Sequence, residues 1–349
     1  MEQYIAFDSH KRYTLAGREP ADGGPSREQR IEHCRGAIRT YLADCPAGGA
    51  VAVEATGNWY WIVDEIEQAG QRARLVHPGK AKLMMGMINK TDKLDVRGMN
   101  RLQRNGTLPE VWIPPGKLRD QRELTRTRMV FTRQRTRLKN RLSATLAKYG
   151  LVVDGFTDTF GVGARRCWAK LLKELPEHTR FCCEILLDEL DRVSEKIARF
   201  EERIASEVRV SQGMTLLQTL PGVGRILAPV IALEVGDIHR FPDAEHLASY
   251  SGTTPRVHSS GDKTRYGRLR PDVNRFLKWA FVEAANATVL QHQRYPDRHV
   301  SRLYRRIKSR KGHPKAVGAL ARHLAEATWH VLSRKEAYED PASGQTRKA

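Results

Sequence analysis

Ala50-Val51-Ala52-Val53-Glu54 is the stretch on which the fold turns. A continuous apolar run with β-branched residues reads as a buried central strand, and Glu54 ends it with a carboxylate. Working outward, Ala73-Arg74-Leu75-Val76 is a second such strand. Tyr4-Ile5-Ala6-Phe7 and Arg12-Tyr13-Thr14-Leu15 are short strands joined tightly through Ser9-His10. Helical stretches fall between them, at 27–43, 58–69 and 92–104. Strand and helix alternating over residues 1–112 predict an α/β domain with a mixed sheet.

Beyond that domain the texture changes twice. Lys117 to Lys148 is strongly helical and strongly basic, with Arg119, Arg122, Arg126, Arg128, Arg133, Arg135, Arg137, Lys139 and Arg141 set against Asp120 and Glu123. A long helix with a cationic face is predicted, suited to a phosphate backbone; a solvated surface is the plainer alternative. A second long helix at 183–209 carries Leu186, Leu190, Val193, Ile197, Phe200 and Ile204 at alternating spacings of four and three, the a/d seam of a coiled coil. The two helices would pair as an antiparallel hairpin or with a second subunit. After Gln212 a glycine-punctuated helical region runs to about Lys335, and the polar end is expected to be disordered. The chain thus divides into an α/β domain at 1–115, a basic coiled-coil region at 116–211, a mainly helical domain at 212–338 and a tail at 339–349.

At 349 residues the chain is long enough for two or three domains, each with its own core. Cys34, Cys45, Cys167, Cys182 and Cys183 form no CxxC pair and are odd in number, which argues against a disulfide framework or a structural zinc site. No signal peptide and no apolar run near 18 residues is visible, so a soluble, cytoplasmic protein without membrane partners is expected. A formal net charge of +20 exceeds what solubility needs and points to a polyanion, nucleic acid first.

Four acids stand where a metal site needs them. Asp8 follows the first strand, Glu54 ends the central one, and Asp92 and Asp95 lie three apart at the start of a helix, on one face. Strand ends of an α/β sheet open onto its ligand-binding edge. Carboxylates converging there repel unless hard cations neutralise them, and oxygen ligands suit Mg²⁺, with Mn²⁺ as substitute. Such ions, in pairs about 3.5–4 Å apart, are the common device for phosphodiester displacement. Taken singly, Asp8 fits a turn and the Asp92–Asp95 pair fits helix capping.

Two further motifs lie downstream. Leu220-Pro221-Gly222-Val223-Gly224 has the form of a helix-hairpin-helix turn, in which Gly222 and Gly224 let backbone N–H groups approach a DNA phosphate; an ordinary helix connection has the same look. Ser251-Gly252-Thr253-Thr254-Pro255-Arg256 leads into His258-Ser259-Ser260-Gly261, then Lys263, Arg265, Arg268 and Arg270. Hydroxyls among Arg and Lys suit a phosphate-binding loop or a serine that attacks phosphorus.

In this order the motifs resemble the insertion-sequence one-ten family, the DEDD transposases that act as bridge-RNA-guided recombinases. The resemblance rests on AFDSHKR, VAVEATGNWYW, NKTDKLDVRGM, LPGVGRILAPVIALEVGD, FPDAEHLASYSGTTPR and the SSG segment with KTRYGRL. It implies an RNase H/RuvC-like domain with Asp8, Glu54, Asp92 and Asp95 as its catalytic, metal-holding tetrad. It implies a catalytic serine in the C-terminal domain, for which Ser259 and Ser260 both qualify, Ser259 being slightly preferred. Many relatives carry S/T-K-x-G-N/D after that segment, whereas this chain has Leu269-Arg270-Pro271-Asp272-Val273-Asn274.

The activity implied is transposition by strand exchange through a covalent phosphoserine. Donor and target DNA would be chosen by a structured noncoding RNA, and a homo-oligomer, a dimer or a tetramer in the synapse, would bring acids and serine together. Two other readings use the same residues: a hydrolytic Holliday-junction-type nuclease, with water as nucleophile, and a non-catalytic nucleic-acid-binding protein whose acids are structural.

Overall fold

Side chains alternate along a strand, so Ile5, Phe7, Val51 and Val53 fall on one face of a sheet, and Ala6, Asp8, Ala52 and Glu54 on the other. The first face is bulky and the second is small, and this difference organises the N-terminal unit. The computed structural model describes residues 3–22, 24–86, 91–208, 211–261, 263–269 and 273–341. Two compact units divide at Pro114–Pro115.

In the first unit β1 (Gln3–Ser9), β2 (Tyr13–Pro20) and β3 (Arg27–Glu32) form an antiparallel meander. After α1 (Ala37–Leu42), β4 (Ala50–Glu54) pairs parallel with β1; after α2 (Trp59–Gln68), β5 (Arg72–Val76) pairs parallel with β4. Then come α3 (Pro78–Met85), α4 (Asp92–Arg104) and a short antiparallel β6 (Glu110–Val111), giving a six-stranded sheet in the order β3-β2-β1-β4-β5-β6. This is the mixed α/β sheet expected of an RNase H/RuvC-like domain.

The bulky face packs with Ile38 and Leu42 of α1 and Ile62, Val63 and Ile66 of α2. The small face receives α4 through Val96, Met99 and Leu102. Gly17 of β2 pairs with Ala6, and a Cβ on it would lie 2.2 Å from Val96 Cγ1, so α4 can lie this close only over glycine. Asn100 Nδ2 donates to Gly17 O at 3.2 Å and fixes the approach.

Residues 27–43, expected as one helix, divide into β3 and α1. Arg27–Glu32 has helix-forming composition, but the free edge of β2 offers it a full ladder of backbone hydrogen bonds, which outweighs so weak a preference.

The second unit begins with α5 (Gly116–Lys148), α6 (Arg165–Leu171) and α7 (Glu177–Glu207). Gln121 donates to Glu207 O, Arg128 to Glu201 and Gln134 to Glu189, so α5 and α7 run antiparallel. Of the expected seam, Leu190, Val193, Ile197 and Ile204 are buried and Leu186 and Phe200 half-buried, with Cys183 and Leu187 completing it. The seam is thus taken up by α5 of the same chain.

The helices α8 (Gln212–Leu217), α9 (Leu227–Val235) and α10 (Ala244–Tyr250) precede a hairpin of β7 (Pro255–Ser260) and β8 (Lys263–Leu269). Helices α11 (Arg275–Leu290), α12 (His299–Lys311) and α13 (His313–Arg334) complete a core that includes Leu217, Ile231, Phe281, Leu320 and Leu324. Order extends past the boundary expected at 338: Tyr338 N–H donates to Thr219 Oγ1, and Asp340 accepts from His299 N–H and Tyr338 Oη. Residues 342–349 lie outside the described residues.

Candidate active site

The β1–β4 register runs through Phe7 and Val53, which brings Asp8 and Glu54 side by side one step further on. Both are on the small face, toward α4. Thr91 caps α4, its Oγ1 accepting from Leu94 N–H, and Asp92 and Asp95 occupy the first helical turn. Close packing over Gly17 therefore delivers the helix acids to the strand acids. The other three act on Asp8, which is buried at 5 % exposure. Burial pushes its carboxyl from the ordinary 3.8 up to about 6; His10 opposes that rise, while the charges of Glu54, Asp92 and Asp95 add to it.

Such a rise corresponds to about 3 kcal/mol against ionisation. Burial of Val96, Met99 and Leu102 contributes about 1.5–3 kcal/mol apiece, so packing outweighs the strain of the acid cluster and holds it in place.

His10 and Tyr13 also belong to the cluster, which the acids alone did not reveal. His10 Nε2 lies 3.4 Å from Asp8 Oδ2 and 3.0 Å from Asp92 Oδ2, and Tyr13 Oη donates to Asp92 Oδ2 at 3.1 Å. The signal for His10 was its position two residues after Asp8, on the same side of the strand line. Its Nε2 is sealed from solvent and lacks hydrogen-bond geometry. Asp8, His10 and Asp92 together offer ligand atoms within 4.8 Å of one another, a donor set that fits a divalent cation. This compact donor set adds one imidazole to two of the expected carboxylates, while Glu54 and Asp95 lie outside it and act on Asp8 through their charges.

The serine segment is a β-hairpin, not a loop. Ser260 pairs with Lys263 and His258 with Arg265, so alternation puts Ser260, His258, Lys263 and Arg265 on one face, with Ser259 and Val257 on the other. Both serines, Arg256, Lys263 and Arg265 are exposed. Arg268 lies on β8; Arg270 is outside the described residues.

The other predicted nucleic-acid residues separate into two groups. Arg126 makes a two-pronged ion pair with the fully buried Glu234, at 2.7 and 3.0 Å, so it serves the interior rather than a phosphate. Arg119, Arg122 and Arg128 are buried as well; Arg122 donates to the carbonyls of Leu233 and Glu234 at the end of α9, where helix carbonyls lack partners. Arg133, Arg137 and Arg141 are exposed at intervals of four, on one face of α5. Lys139 Nζ lies 3.4 Å from Asp158, and Arg135 adds to the positive field there.

Gly222 and Gly224 differ in the same way. Gly222 has φ 78°, and a Cβ there would meet Ala284 O at 2.1 Å, so close packing on α11 requires glycine. Gly224 has open space within 4 Å.

A mixed RNase H/RuvC-like sheet with carboxylates gathered at its strand ends defines the class: DEDD enzymes that act on nucleic-acid strands with divalent metal. Residues 22–150 match the DEDD transposase family of IS110 type, described simply as Transposase, a match that starts after Asp8. Residues 214–301 match the family described as Transposase IS116/IS110/IS902 family. The chain is similar to a probable family 20 transposase of Pseudomonas aeruginosa, 27 % identical over 87 % of this chain and 89 % of that one. It is similar also to the transposase for insertion sequence element IS1111A of Coxiella burnetii, 27 % identical over 83 % and 79 %. A pilin gene-inverting protein of Moraxella bovis is 28 % identical over 36 % of this chain and 38 % of its own. The chain belongs to the IS110 family of DEDD insertion-sequence transposases, enzymes that cut and rejoin DNA. Among the described residues no helix is long and apolar enough to cross a membrane.

Proposed function

We propose that this transposase exchanges strands through a covalent phosphoserine formed on the β7–β8 hairpin, assisted by magnesium at the acid cluster. The observation that carries the reading is a pair of exposed serines beside Lys263 and Arg265, in a chain whose sheet domain sets Asp8 in the field of Glu54, Asp92 and Asp95. Bound at those carboxylates, with His10 beside them, Mg²⁺ or Mn²⁺ would supply charge stabilisation for the scissile phosphate and the leaving oxygen. The serine Oγ forms a bond to phosphorus as the bond to the 3′-oxygen breaks; the serine gives up a proton and the released 3′-oxygen takes one. Lys263 and Arg265 hold the phosphate by charge-assisted hydrogen bonds. A 3′-hydroxyl of the partner duplex then attacks the phosphoserine and frees the serine. Because the phosphoester retains the energy of the broken bond, rejoining needs no ATP.

Between the two serines, strand alternation favours Ser260, which shares its face with both cations. The name of the gene-inverting relative supports rejoining, since inversion requires both ends of a segment to be resealed. A homo-oligomer in the bacterial cytoplasm, with acids of one subunit acting with the serine of another, and a structured guide RNA recognised by shape and backbone, are further parts of the reading; the family resemblance supports them.

A denaturing gel with guide RNA, matched DNA sites and Mg²⁺ tests it. Wild type should give a covalent protein–DNA adduct that disappears in Asp8→Ala and in Ser260→Ala. Free cleaved ends that survive both Ser259→Ala and Ser260→Ala, with no adduct, would make the protein a hydrolytic nuclease.

A further inference from the structure

Residues 298–315 carry eight Arg or Lys and no Asp or Glu, and they belong to neither the acid site nor the serine hairpin. They make up α12 and its flanks. Val300, Ser301 and Tyr304 are buried on its inner face, and Leu303 and Ile307 pack partly against the C-terminal core. Arg305, Arg306, Lys308, Ser309, Arg310 and Lys311 are exposed. The outer face of a well-anchored helix is therefore almost entirely cationic.

A merely solvated helix face mixes its charges, as α7 of this chain does, pairing Asp188 with Arg192 and Arg203 with Glu207 one turn apart. On α12 the corresponding neighbours are alike: Arg302, Arg306 and Arg310 follow at intervals of four. Each such like-charge pair works against the helix that carries it. Arg302 and Arg305 donate to the carbonyls of Asp297 and Pro296 and tie down the preceding loop. Among the described residues Arg306, Lys308, Arg310 and Lys311 form no ion pair with an acid, which leaves their charge free to engage a polyanion.

The position of α12 indicates which partner. Arg298, its N-cap, lines an open cleft of about 660 Å³ together with the turn Leu220–Gly224, whose Gly224 is free of close neighbours. Asp340, which also lines the cleft, is held by His299 N–H and Tyr338 Oη. Arg298 thus joins the turn to the start of α12, along which Arg306, Lys308, Arg310 and Lys311 follow about two to four helical turns further on. We propose that α12 is a phosphate-backbone clamp for DNA, engaging the strand where it leaves the helix-hairpin-helix-like turn. The inference rests on the reading of the chain as a DNA strand-exchange enzyme and adds a binding surface to it.

The test is a full-length variant with Arg306→Gln, Lys308→Gln, Arg310→Gln and Lys311→Gln. Duplex DNA binding is followed by fluorescence anisotropy between 50 and 200 mM salt, alongside binding of an RNA hairpin and the circular-dichroism melt. With about 0.9 unit of log–log slope for each phosphate neutralised, the slope should become shallower by about three to four units, with DNA affinity down at least tenfold at low salt. RNA affinity and the melt should be unchanged. If the fourfold variant does not fold, Arg310→Gln with Lys311→Gln should make the slope shallower by about two units. A folded variant with unaltered slope and affinity overturns the proposal, as does loss of RNA binding with DNA binding retained. The adduct gel separates the two readings: wild type that forms adduct beside a variant with unaltered DNA binding leaves the phosphoserine standing and removes the clamp, and the reverse pattern does the opposite.

Discussion

Asp8 is the residue at which fold and chemistry conflict. Its folded pKa, about 6, lies above the ordinary 3.8, so the metal-free fold prefers the protonated acid. The stabilisation linked to Asp8 is complete below pH 4 and is lost as pH rises through about 6, because between those values the folded state binds more protons than the unfolded state. Asp8→Asn should therefore raise the melting temperature of the metal-free protein at pH 7.5 by the equivalent of about 2–3 kcal/mol, leave it little changed at pH 4, and abolish strand cleavage. Equal melting temperatures at pH 7.5 would contradict this. At this scale the acids were legible in the sequence, because strand ends and a helix start are local features. Arg126 was not: its partner Glu234 is 108 residues away, and a run of cations does not show which of them turn inward.

Helix α4 is the element that assembles the site, and the row Ala6, Gly17 and Ala52 lets it do so. Gly17→Ala would drive a Cβ into Val96 and lift the helix start from the strand ends. It should destabilise the first unit by about 1–3 kcal/mol and reduce cleavage more than tenfold even well below the melting temperature. Wild-type cleavage by a Gly17→Ala protein would show that α4 need not approach so closely. The central strands and α4 were readable from apolar pattern and capping. Residues 27–32 misled because the ladder that recruits them belongs to β2, and the serine hairpin misled because Ser and Gly there suggested a loop, while the pairing strand follows a tight turn.

Across the whole molecule the excess charge is sorted by burial. Arg119, Arg122 and Arg128 are buried and the half-buried Arg126 pairs inward with Glu234, while Arg133, Arg137 and Arg141 face solvent on the same helix. Arg133→Glu with Arg137→Glu and Arg141→Glu should flatten the salt dependence of nucleic-acid binding by about one unit of slope for each phosphate no longer neutralised, and leave the melt unchanged. Unchanged salt dependence would assign that stripe to solvation alone. The net charge of +20 announced a polyanion but not where it lies, because only the folded chain separates structural cations from free ones. The central claim is that strand exchange passes through a serine of the hairpin, and mass spectrometry of the trapped adduct tests it most directly. After nuclease and trypsin digestion, the peptide Val257–Lys263 should carry a nucleotide phosphate on Ser260. A nucleotide on a residue outside that peptide, or cleaved DNA with no protein-linked nucleotide at all, would contradict the account.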